Sequence, residues 1–145
     1  MTIEIRELES TDFDAVTTLW REASGVVVRD VDRREPLTAY LARNPGLSFV
    51  ALDDGTIVGA VLCGTDGRRG YLQHLAVARS HQRRGIGREL AARCVNALAA
   101  QGIDKCHLMV LVDNHRAAAF WTRIGWSDRP EVRLMSHIAS GSQSA

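Results

Sequence analysis

The sequence predicts an α/β domain, a mixed sheet with helices on both of its faces. Two observations carry that expectation. Segments of alternating or continuous apolar residues are interleaved with segments of helical period, in the order strand, helix, helix, strands, helix, strand, helix, strands. An apolar strand ending at Val77 also breaks into a basic, glycine-bearing turn and then starts an amphipathic helix at about Ile86.

The elements follow in chain order. Residues 3–7 alternate apolar and polar, which suits a half-buried strand. Ser10 or Thr11 can cap a helix whose Phe13, Val16, Leu19, Trp20 and Ala23 recur at helical spacing and which should end near Ser24-Gly25. Residues 26–35 have no clean period and read as a loop. Pro36 suits the first turn of a second short helix that stops at Asn44-Pro45-Gly46. Residues 48–53 and 56–64 flank Asp54-Gly55, a pair that supplies the torsions of a tight β-hairpin. A second turn at 66–70 leads into a strand over 71–77. Ile86, Leu90, Ala91, Cys94, Val95 and Leu98 form one helical stripe, and Gly102 stands where a C-terminal cap is expected. A strand over 106–112, a helix over 114–124 and closing strands over 126–129 and 132–136 complete the reading.

Length and charge bound the function. A chain of 145 residues fits one domain, which would bury on the order of 70% of its unfolded surface. We expect that domain over residues 1–138, with a small polar tail over 139–145 that stays disordered. A formal charge of +1 provides no global field for nucleic acid or for an anionic membrane. No apolar run approaches the ~20 residues of a membrane span and the N-terminus has no leader pattern, so a cytoplasmic location is expected. Cys63, Cys94 and Cys106 have neither redox nor zinc-finger spacing and read as reduced, mostly buried thiols. The histidines form no ligand pair, so no metal is expected.

The chemistry concentrates at the strand-turn-helix junction. Unpaired N–H groups of a first helical turn point at whatever lies before them, and the helix dipole adds positive potential. Gly85 and Gly87 allow close approach of backbone to phosphate oxygens, while Arg83, Arg84 and Arg88 add charge beside them. This is an anion cradle. It is not a Walker loop, because no Gly-Lys pair occurs, and Leu90 stands where a dinucleotide fingerprint would need a third small residue.

The surrounding motifs narrow the anion. Leu75-Ala76-Val77, then Gln82-x-x-Gly85-x-Gly87, then Asn114-x-x-Ala117-x-x-Phe120-Trp121-x-x-x-Gly125-Trp126 resembles the GNAT superfamily of acyl-CoA-dependent N-acetyltransferases over roughly residues 48–137. The resemblance implies a mixed, mostly antiparallel central sheet flanked by about four helices. It also implies that the strands over 71–77 and 106–112 splay apart to admit the pantetheine arm of acetyl-CoA, the co-substrate.

Site residues follow from the same resemblance. Leu75 and Val77, flanking Ala76, would offer backbone groups to the pantetheine amides, and the Val77 N–H would donate to the thioester oxygen. Gln82, Arg83, Arg84, Gly85, Ile86, Gly87 and Arg88 would hold the pyrophosphate. Asn114, Phe120 and Trp121 would line the cofactor arm, Asn114 also capping its helix. Many members carry Tyr where this chain has Trp121, and an indole is no proton donor. Base positions four and six residues before Val77 are Gln73 and Tyr71, on one strand face by period-two alternation, for water positioning or proton transfer. The same alternation turns His74 to the opposite face, where it reads as a satisfied structural histidine. His107 reads the same way.

The expected reaction is direct attack of a primary amine, of a small molecule, on acetyl-CoA. Acetylation of a protein amino terminus or lysine is the second enzymatic reading. A non-catalytic acyl-CoA sensor is a third, motivated by Trp121. A homodimer is expected by analogy with similar proteins only.

Overall fold

The computed structural model describes residues 2–145. Its sheet has five strands in sequence order: β1 (Ile3–Glu7), β2 (Phe49–Asp53), β3 (Thr56–Thr65), β4 (Gly70–Val77) and β5 (Cys106–His107). β1 to β4 pair antiparallel, and β5 joins β4 in parallel. The helices are α1 (Phe13–Glu22), α2 (Arg34–Arg43), α3 (Ile86–Ala100) and α4 (His115–Arg123).

Alternation along the central strands divides the core in two. Val50, Leu52, Ala60 and Leu62 pack against Val16, Leu19 and Trp20 of α1 and Leu37 of α2. Ala51, Val61, Cys63 and Leu72 face Ile86, Leu90, Cys94 and Leu98 of α3 and Trp121 of α4. Buried on both faces, β2 and β3 read as nearly continuous apolar runs. Gly59 lets α3 close on the sheet: a Cβ there would stand 3.0 Å from Leu90 Cδ1 and 3.3 Å from Ile86 Cγ2.

The start of α1 differs from the expected cap. Neither Ser10 nor Thr11 caps it; a 3-10 turn over Ser10–Asp12 precedes the helix, and the Glu9 N–H donates to Asp12 Oδ2 at 2.9 Å. Arg6 grips the same carboxylate with two bonds of 2.8 and 2.9 Å, in a site where Asp12 is 8% exposed. The Arg6 hydrogen bonds hold the Asp12 carboxyl below its ordinary 3.8, against the opposing effect of burial. A depressed folded value stabilises above pH 3.8, and that contribution is lost as pH falls through the lower folded value. Asp12→Asn should therefore cost about 2 kcal/mol at neutral pH and flatten the acid limb of a stability-against-pH curve, as urea titrations between pH 2 and 7 would measure.

Two expectations are corrected. The loop over 26–35 contains a 3-10 turn at Asp30–Asp32, and α2 begins at Arg34, two residues before Pro36. The strand expected over 106–112 is paired only at Cys106–His107, and 126–129 and 132–136 form no strands. The reason is the β4 edge. Gly70 pairs with Cys106 and Tyr71 with His107, after which β4 has no parallel partner among the described residues. Apolar residues there have no ladder to join, and Met109, Leu111, Val112, Leu134 and Met135 are exposed. The C-terminal segment expected to be disordered is placed against the 3-10 turn, the Ser144 carbonyl accepting from the Asp30 N–H at 2.8 Å.

Candidate functional site

The cradle lies where β4 runs into α3. Gly85, the residue before the helix, has φ of +80°, and Arg83 has φ of +64°. Left-handed residues in such a turn aim successive N–H groups into one concavity, a nest that receives anions. Gly85 has nothing within 4 Å of where a Cβ would stand, so the space before the helix is open. At Gly87 a Cβ would lie 3.4 Å from Phe120 and 3.7 Å from Leu75, an ordinary contact that places α4 and β4 beside the first turn of α3.

The cradle is tied to the sheet from both sides. Gln82 Nε2 donates to the Val77 carbonyl at 3.1 Å, so its side chain braces the strand end. His81 Nε2 meets Asp53 Oδ2 at 2.7 Å, linking the turn to the end of β2, and Ser80 Oγ meets His81 Nδ1 at 2.7 Å. Sequence reasoning passed over His81, whose partner is 28 residues away.

The β4 backbone supplies the second wall. Ala60 pairs with Ala76 and Leu62 with Gln73, so two residues of β4, His74 and Leu75, oppose Val61 alone. This is a β-bulge, and His74 within it has φ of +54°. The extra residue breaks the expected alternation. Leu72, Leu75 and Val77 face the α3 side, whereas Ala76 packs toward α1 and α2. Gln73 lines a cavity with Leu37, Tyr40 and Leu62 on the α2 side. His74 meets Trp20 of α1 edge-on, with ring centroids 5.1 Å apart. The expectation that His74 faces away from Gln73 is thus corrected, as is the expectation that Gln73 shares the face of Val77.

Tyr71 is 39% exposed, its ring 6.0 Å from that of His107. Six residues separate it from Val77, roughly 20 Å along a strand, so the two cannot serve one reacting atom. Asn114 caps α4, its Oδ1 accepting from the Ala117 N–H at 3.1 Å. A Cβ on Gly25 would collide with Asn114 Nδ2, which brings the end of the α1 loop beside the start of α4. Phe120 lies by Gly87. Trp121 is buried in the α3-side core, with Phe120 and Trp126 each 5.1 Å away ring to ring.

Chemically, this is a strand with an unpaired edge leading into an anion nest, beside a cavity on the other face of the sheet. Residues 5–126 match the model of the Acetyltransferase (GNAT) family. This chain belongs to the GNAT acetyltransferase family. It is 36% identical to an acetyltransferase of Pectobacterium atrosepticum over 122 residues, covering 84% of this chain and 86% of that one. An acetyltransferase of Photorhabdus laumondii is 34% identical, with 92% of each chain covered. Among solved structures, the PaiA N-acetyltransferase of Thermoplasma acidophilum, in complex with coenzyme A, superposes with a TM-score of 0.79 at 22% identity, covering 88% of this chain and 91% of that one.

This GNAT protein is an acetyl-CoA-dependent acyltransferase, and acetyl-CoA is its co-substrate. The open space before Gly85 fits the diphosphate of such a molecule. No described helix is long and apolar enough to cross a membrane. Among the described residues no group of three or more His, Cys, Asp and Glu side chains could hold a metal ion. Cys63 and Cys106 are poor nucleophiles: Cys106's hydrogen bond opposes the shift, but contact with Cys94 and burial push the Cys63 thiol up to about 12. Contact with Cys63 and burial raise Cys106 as well.

Proposed function

We propose that this GNAT enzyme acetylates the primary amine of a small molecule by direct attack on acetyl-CoA in a ternary complex. The observation that carries the reading is the cavity of about 520 Å³ between α2 and β4, whose lining includes Asp32, Leu37, Tyr40, Arg43, Leu62 and Gln73. That volume suits a small acceptor. Its wall includes the buried carboxylate of Asp32 and the guanidinium of Arg43.

In this reading the side of the Leu75, Ala76 and Val77 backbone that faces away from β3 meets the pantetheine arm, and the Val77 N–H donates to the thioester oxygen as negative charge develops there. Residues 82–88 hold the diphosphate through backbone N–H groups and the charge of Arg83, Arg84 and Arg88. Asn114 and Phe120 border the arm. Trp121, packed in the core, is wall, and the thiolate leaves as the anion and is protonated by water. Gln73 positions a water in the acceptor cavity. Protonated thiols at Cys63 and Cys106 support direct attack over an acyl-cysteine intermediate.

The AAC(6')-Iy structure, bound to the bisubstrate analogue CoA-S-monomethyl-acetylneamine, superposes with a TM-score of 0.74 at 17% identity. That protein binds this analogue on a similar scaffold. The test is a screen of small amines, amino acid derivatives and peptides with acetyl-CoA, read by free thiol release and by mass spectrometry of the product. We expect acetylated small amines. A profile confined to peptides would overturn the small-amine reading.

A further inference from the structure

We propose that His74, held by Asp32, is the general base of the transfer and takes the proton of the acceptor ammonium on its Nδ1 atom. The inference rests on the reading of this site as an amine acetyltransferase. Its starting point is a pair that the sequence keeps 42 positions apart. Asp32 Oδ1 meets His74 Nε2 at 2.9 Å, and Asp32 is 4% exposed.

Three features distinguish this pair from a satisfied core histidine. First, Asp32 is itself fixed, because its Oδ2 accepts from the Arg29 N–H at 2.8 Å. Burial alone would raise its pKa, but the bonds from His74 and Arg29 prevail and hold it below the ordinary value, so it stays a carboxylate. Second, a carboxylate on Nε2 places the imidazole proton there and leaves the Nδ1 lone pair as the acceptor. Nδ1 has no hydrogen-bond partner among the described residues and is not among the atoms sealed from solvent without one. Third, the left-handed torsion of His74 is costly for a residue other than glycine and is maintained by the bulge that turns both Gln73 and His74 to one face. Gln73 and Asp32 line the acceptor cavity, and Leu75, the next residue after His74, begins the backbone stretch that meets the thioester arm.

The neighbouring groups leave no rival base on this face. Trp20, which has no titratable group, makes an edge contact with the imidazole ring. The other charged and titratable groups that line the cavity are Arg43, a permanent cation, and Tyr40, whose phenol is pushed up by burial and stays neutral. Asp32 is a positioning residue that acts through His74.

The step balances without another reactant. Nδ1 takes one proton from R–NH3+, directly or through one water. The freed amine attacks the thioester carbon, the C–N bond forms, and the C–S bond breaks with its electron pair going to the CoA sulfur. The nitrogen loses a second proton as the adduct collapses, a water-borne proton neutralises the thiolate, and the imidazolium returns its proton to solvent.

The test uses His74→Asn, since Asn tolerates a left-handed torsion and can still hydrogen-bond Asp32, with Asp32→Asn beside it. Turnover from pH 5.5 to 9 and calorimetric acetyl-CoA affinity are measured on the full chain with the best acceptor from the amine and peptide screen. We expect kcat of His74→Asn to fall roughly 10²- to 10³-fold, the acid limb of its pH profile to vanish, and acetyl-CoA affinity to stay within about twofold of the parent. Asp32→Asn should lose less activity and move the acid limb to lower pH, as the imidazolium loses its counter-charge. A His74→Asn protein within threefold of the parent kcat, or one that keeps the acid limb, overturns the proposal. If that variant does not fold, an unmoved limb in Asp32→Asn overturns it alone. Should the parent use only peptides, the small-amine reading fails while the same variants, assayed on the peptide, still judge His74.

Discussion

Gly85→Val should weaken acetyl-CoA binding by about 100-fold while leaving helical content unchanged. Gly85 occupies the left-handed region, φ +80°, at the residue that opens α3. A β-branched side chain is excluded from that region more strongly than any other. To relieve the clash the chain must rotate residue 85, and the N–H groups of the first turn then no longer converge on one anion. The new side chain also enters the space before the helix, which the protein leaves empty. A 100-fold loss corresponds to about 2.7 kcal/mol, of the order expected for one strained residue plus disrupted diphosphate contacts. Calorimetric titration with acetyl-CoA checks it, with circular dichroism as the control for α3. An affinity within threefold of the parent would mean that the diphosphate does not lie in this nest.

Leu90→Ala should lower stability by about 3 kcal/mol and the melting midpoint by roughly 6–12 °C. Leu90 is fully buried on α3, and its Cδ1 would stand 3.0 Å from a Cβ at Gly59. Its methyl groups therefore fill the space that the missing side chain of Gly59 opens over β3. Truncation removes the buried surface and leaves a cavity that the central strand β3 on one side and α3 on the other cannot readily close. Differential scanning calorimetry gives the magnitude. A loss below about 1 kcal/mol would indicate that α3 settles onto Gly59 after truncation.

The elements read from periodicity are those with a buried stripe or a strong turn. The Asp54-Gly55 hairpin, α1 from Phe13 and α3 from Ile86 appear as expected because their signals are local. The failures share a cause. The strand over 106–112 and the closing strands depended on a neighbour with a free edge, and pairing with β4 stops at Tyr71 and His107. An apolar run does not say whether a partner strand is there to receive it.

The cradle was legible for the same reason that the fold was. Gly85, Gly87 and the arginines lie within a few residues of one another, and a helix start is a local event. Its braces were not. His81 with Asp53, and Asp32 with His74, are separated by 28 and 42 positions and are joined only by the sheet and by the packing of the α1–α2 segment on it.

By itself the sequence determined an α/β chain, the glycine-bearing turn before α3, and through its motif order the resemblance to acetyl-CoA-dependent transferases. Tertiary structure alone decided that Gln73 joins His74 on the face opposite Val77. Period-two reasoning assigns strand faces correctly until one residue is inserted, and the bulge opposite Val61 inserts one, reversing every assignment on one side of it. With that reversal Gln73 and a histidine read as structural share one face, and the buried Asp32 carboxylate lies against the histidine.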